Sequence, residues 1–134
     1  MSYPVYTTEE IGERNHIAIY IETVPDAAPQ AIRGRLYHVV GTILMGMTYA
    51  PRDTPDPETI PGHVPGSKKK IATIAKDDLI RFEQECCEVV PPPTAQVTIS
   101  GKRLDPSKPL YRCGGWIEDV KKMAFEKGIF KDEK

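Results

Sequence analysis

Between Asn15 and Glu22 apolar and mixed positions alternate, with Ile17, Ile19 and Ile21 on one face and His16, Ala18 and Tyr20 on the other. This period of two, in β-branched and aromatic residues, predicts a strand. Its second face suits either another layer or a partly wetted cleft. Pro25, Pro29 and Gly34 mark a loop over 24–35. A second alternation over 35–41 sets Leu36, His38 and Val40 against Tyr37 and Val39 and predicts a strand closed by Gly41. Ile43, Leu44, Met45 and Met47 around Gly46 predict a turn and a third strand, so the first half reads as an antiparallel meander. Residues before Asn15 read as a polar start outside the core.

The second half is more helical. A proline-rich surface loop over 51–65 holds His63, and 70–76 reads as a short strand. Asp77 or Asp78 can cap a helix through Leu79, Ile80, Phe82, Glu83 and Cys86 to about Val89, which Pro91-Pro92-Pro93 stops. Within it the adjacent Cys86 and Cys87 are expected to point one inward and one outward, which disfavours a bridge between them. After a connector over 94–107 comes a last helix from about Cys113 to Lys127, where Gly128 fits a C-terminal cap. Cys113, Trp116, Ile117, Val120 and Ala124 fall at helical spacing on its buried stripe, and the charged tail from Lys131 is expected to fray. The expectation is one α+β domain over 1–134, a small antiparallel sheet packed against helices, with its core over about 15–130.

Composition narrows the function classes. The formal net charge of −1 gives no footprint for nucleic acid. The basic run Lys68-Lys69-Lys70 reads as a solvated entry to a strand. No segment approaches the roughly 20 apolar residues of a membrane span. The first residues show no secretory pattern, and the three cysteines are an odd number, so reduced thiols in the cytoplasm are expected. No zinc-ligand spacing, Gly-rich phosphate loop or nucleophilic-serine elbow is present, and neither metal nor cofactor is expected.

The chemistry then rests on a thiol. Cysteine in the first turn of a helix sits near unpaired N–H groups and the positive end of the dipole, which favours the thiolate. Cys113 is placed for this, unless Gly114 and Gly115 delay the helix by one turn. Either glycine lets something approach the backbone closely. His16 and His38, both on expected strands, are the candidate bases, and spacing alone does not choose between them.

Three stretches carry a resemblance: His16-Ile-Ala-Ile-Tyr-Ile21, Leu36-Tyr-His-Val-Val-Gly41 and Tyr111-Arg-Cys-Gly-Gly-Trp-Ile117. Together they resemble a family of small uncharacterised fungal proteins. With histidine before cysteine, they are also similar to circularly permuted papain-like thiol hydrolases, which include lecithin:retinol acyltransferase relatives and permuted deSUMOylating isopeptidases. The resemblance spans about Asn15 to Phe130 and implies an antiparallel sheet packed on a helix whose N-terminal cysteine faces strand histidines. It implies Cys113 as nucleophile, His16 as general base and His38 as the residue that orients the imidazole. Gly114-Gly115 departs from the polar residues that usually follow the cysteine, and Ile17 from a frequent aromatic.

Two functions follow as expectations. One is a cysteine-dependent hydrolase or acyltransferase acting on an amide, ester or thioester of a small-molecule or protein substrate. The other is a non-catalytic binding module, or a small-molecule-binding accessory protein, on the same fold.

Overall fold

The computed structural model describes residues 1–12, 15–28 and 30–132. The elements in chain order are β1 (Ser2–Glu10), β2 (His16–Glu22), β3 (Gly34–Tyr37), β4 (Val39–Thr42), β5 (Gly46–Tyr49), β6 (Arg52–Thr54), β7 (Lys69–Ala75), α1 (Leu79–Phe82), α2 (Cys113–Glu126) and β8 (Phe130–Lys131). Six strands form an antiparallel sheet in the order β6-β3-β2-β1-β7-β8, while β4 and β5 form a separate two-stranded ribbon. The architecture is α+β, with helices on one face of this sheet.

Alternation decides the faces. Val5, Ile19, Ile21, Tyr37, Ala72 and Ile74 are buried on the face that meets Phe82 and the α2 residues Trp116, Ile117, Val120 and Ala124. Fully burying one such Ile or Val contributes about 1.5–3 kcal/mol, so the α2 stripe anchors the helix firmly. The opposite face buries Ala18, Tyr20 and Leu36, with Tyr6 packed against them. There the Lys68 ammonium lies 4.6 Å from the Tyr6 ring centroid and 3.3 Å from Asp56 Oδ1. Lys68 is thus a lid over aromatic rings and not the solvated entry its sequence suggests, although Lys69 and Lys70 are exposed.

Several sequence expectations are corrected. The polar start is β1, a central strand whose Val5 is fully buried. Pro4 and the acidic Glu9 and Glu10 disguise it, and its register against β7 shifts between Val5 and Tyr6. The strand expected over 35–41 breaks at His38, where the chain passes from β3 to β4. The 51–65 loop contains edge strand β6 and a single helical turn at Pro57–Thr59.

The helix after β7 is built differently from its sequence pattern. A 3₁₀ turn over Lys76–Asp78 leads into α1, which widens into a π turn over Glu83–Cys87, and neither aspartate side chain caps it. A wider turn rotates successive residues less, so Cys86 and Cys87 are both buried instead of dividing inward and outward. Tyr37 Oη donates to Glu83 Oε2 at 2.6 Å, tying this segment to β3.

The end of α2 follows expectation. Gly128 has φ +71°, its N–H donates to Phe125 O, and Ile129 N–H donates to Ala124 O, a Schellman closure. This closure returns the chain to the sheet, where Phe130 and Lys131 pair with Ile74 and Thr73. Lys131 is therefore strand and not frayed tail, while Glu133 and Lys134 lie outside the described residues.

Candidate active site

The site forms where the sheet divides. Pairing of β3 with β2 runs out at Ile19↔Tyr37, and the chain then leaves to build the β4–β5 ribbon. This leaves the first residues of β2 without β3 beside them, and the start of α2 packs there. His16 opens β2, His38 occupies the fork, and Cys113 is the first residue of α2. All three residues singled out by the sequence converge.

Both glycines after the cysteine have a packing reason. A Cβ on Gly114 would lie 3.3 Å from Ile17 Cδ1, and one on Gly115 would lie 2.8 and 2.9 Å from two Tyr111 ring carbons. The helix starts at Cys113 and not one turn later, with strand and aromatic ring pressed against its first turn. Gln96 fixes the entry, its Oε1 accepting from Tyr111 N–H at 2.5 Å and its Nε2 donating to Tyr111 O at 2.6 Å. The Tyr111 hydroxyl donates to Asp119 Oδ2 at 2.6 Å.

Arg112 is the N-cap of α2 and makes no side-chain cap bond. A Ser, Thr, Asp or Asn there would occupy one of the free N–H groups and stabilise the helix by about 1 kcal/mol. In its absence donors remain near the sulfur. The Cys113 thiol is held below its ordinary range, first by the hydrogen bond from His16, against the opposing effect of burial, and further by the backbone of Ile17 and Gly114.

The two imidazoles form a directed pair. His16 Nε2 lies 2.8 Å from His38 Nδ1, with the rings edge-on at 64°. The Ala50 N–H donates to His38 O at 3.0 Å, which fixes the backbone at the fork. With its Nε2 turned to His38, His16 has Nδ1 left to serve the thiol.

Burial, with lesser contributions from the charges of His16 and Arg52, lowers the His38 pKa to about 4. The folded state therefore holds His38 neutral while the unfolded chain takes up a proton near pH 6.5. Its contribution to stability is present above pH 6.5 and is lost as pH falls toward 4. Chemical denaturation at pH 7, 6 and 5 is expected to show this decline, and His38→Gln is expected to flatten it. An unchanged slope in His38→Gln would assign the decline to other groups.

A cavity of about 710 Å³ opens beside the thiol. Cys113 and His16 line it together with the apolar Val39, Ile43 and Met47 of the β4–β5 ribbon, while Asn15, Thr42 and Arg112 add polar groups. A second cavity, about 410 Å³, is lined by Pro91, Pro93, Leu104, Pro109 and Tyr111 among others, with none of the three site residues. Nothing in the sequence pattern pointed to Ala50, Gln96 or the ribbon wall, since each reaches the site only through tertiary packing. Arg112 and Tyr111 were legible only as neighbours of the cysteine.

His63 stands apart from the site, in an isolated bridge with Glu10, both its ring nitrogens buried without a hydrogen-bond partner among the described residues. Among the described residues no group of three or more His, Cys, Asp or Glu side chains could hold a metal ion, and no helix is long and apolar enough to cross a membrane.

No curated protein and no solved structure matches the chain. The model of a family of unknown function, DUF6540, matches residues 3–131, and the chain belongs to that family.

Proposed function

We propose that the protein is a cysteine-dependent hydrolase or acyltransferase working through Cys113, His16 and His38. The observation that carries this reading is that Cys113 and His16 share the wall of one open cavity, with His38 2.8 Å behind His16. The Cys113 sulfur attacks the carbonyl carbon of an amide, ester or thioester, and the C–N, C–O or C–S bond to the leaving group breaks. His16 supplies the proton that the leaving group takes. The acyl-cysteine is then resolved by water, or by an acceptor amine or alcohol, whose proton returns to His16.

His38 acts as a positioning residue, holding His16 in the tautomer that presents Nδ1 to sulfur. The N–H groups of Ile17 and Gly114, which influence the sulfur, are the donors proposed for the developing oxyanion. The order of histidine before cysteine, with the cysteine opening a helix packed on an antiparallel sheet, supports a permuted papain-like architecture.

A hexanoyl thioester offered to the intact protein tests this reading by mass spectrometry. One acyl group is expected on Cys113, lost on incubation in water and absent from Cys113→Ser. A protein that stays unmodified at Cys113, or is acylated equally at the buried Cys86 and Cys87, would instead be a binding module with an inert thiol.

A further inference from the structure

The cavity beside the thiol is chemically lopsided. Val39, Ile43 and Met47 make an apolar wall, and no carboxylate is among the described residues that line it. Arg112, adjacent in sequence to Cys113, lines it too, and among the described residues its side chain makes no ion pair or hydrogen bond. Most other arginines are committed: Arg33 to Glu22, Arg35 to Asp53 and Glu83, Arg52 to Glu10, and Arg81 to Asp78 and Glu85. A guanidinium presents a planar fork of donors suited to carboxylate or phosphate oxygens, and its attraction for them strengthens where water is partly excluded. As a donor-only group it cannot cap the N-terminus of α2, and it makes no cap bond there.

We propose that Arg112 is the binding residue for an anionic group, a carboxylate or phosphate, on an acyl substrate whose apolar chain lies along Val39, Ile43 and Met47. The substrate class is thus an amphiphilic acyl compound with negative charge near its scissile carbonyl. This rests on the preceding reading of Cys113 as acyl acceptor, but the charge preference is measurable without acyl transfer.

Iodoacetate and iodoacetamide alkylate the same sulfur, each forming an S–CH₂ bond as the C–I bond breaks and iodide leaves, and they differ in the charge beside that carbon. The ratio of their rates at Cys113 is expected to fall about tenfold or more in Arg112→Gln, and to recover partly in Arg112→Lys. Hexanoate and hexyl phosphate are expected to protect wild-type Cys113 from iodoacetamide better than hexanol does. Protection by one anion alone identifies the headgroup.

An unchanged rate ratio in Arg112→Gln, or equal protection by hexanol, would overturn the inference while leaving the thiol reading intact. Failure of the hexanoyl thioester to acylate Cys113, with the charge preference present, would remove the acyl-transfer step and leave an anion-binding cleft. Circular dichroism of Arg112→Gln separates loss of recognition from loss of fold.

Discussion

Replacing His16 with Asn is expected to lower acyl transfer onto Cys113 by about 10²–10⁴-fold, the range for losing a positioned general acid–base. Asn keeps a polar group at the first position of β2 but cannot move a proton. The hydrogen bond from His16 is also the largest influence holding the Cys113 thiol down, ahead of the backbone of Ile17 and Gly114. Without it burial, which acts in the opposite direction, pushes the thiol back up. The fold should survive, because His16 is only partly buried and its neighbours Ile19, Tyr20 and Ile21 supply the buried anchors of β2. Acylation rates and thermal unfolding measured together decide the matter. A tenfold or smaller loss with an unchanged melting curve would remove His16 from the chemistry.

The largest effect on stability is expected at Trp116. Its side chain is fully buried, its indole N–H donates to Val90 O at 3.0 Å, and its ring lies 5.6 Å from that of Tyr49. Trp116→Ala leaves a cavity at the centre of the core, at a cost of about 3–5 kcal/mol. It also strands the buried Val90 carbonyl, at up to about 1–3 kcal/mol more, and the two costs need not add. Domains of this size are stable by only about 5–15 kcal/mol, so this single change removes a large share of the stability. Trp116→Phe keeps most of the packing and loses the N–H bond, and its urea midpoint should fall between those of wild type and Trp116→Ala. Similar midpoints for all three proteins would mean that α2 is held elsewhere. Since Cys113 sits one turn before Trp116, the same loss should release the thiol from His16.

The sequence carried the site because two of its three residues open regular elements. His16 begins an alternating run and Cys113 begins an amphipathic stripe, so period and breaker residues place both. The position of His38 was legible, but its conformation was not. Leu36, Tyr37, Val39 and Val40 read as one continuous strand, whereas competing partners pull β3 toward β2 and β4 toward β5, and the chain forks at His38. That fork makes the site, and no local pattern encodes it.

The missed β1 has a similar cause. Proline and paired glutamates argue against a central strand locally, yet pairing on both sides and the burial of Val5 override them. Vicinal Cys86 and Cys87 misled in another way, because a helix of 3.6 residues per turn was assumed where the chain adopts a π turn. The glycine pair after Cys113 signals a close neighbour at the first turn of α2. Only the structure identifies the neighbours as Ile17 and Tyr111.

The pairing of thiol and imidazole is tested most directly by the rate of Cys113 alkylation by iodoacetamide across pH 5 to 10, in wild type and in His16→Asn. The wild-type profile should reach its half-maximum clearly below that of an ordinary thiol, near pH 8.5, and the variant should move to or above that value. Superimposable profiles with a half-maximum at or above pH 8.5 would show a sulfur that does not sense the ring, and would contradict the account at its root.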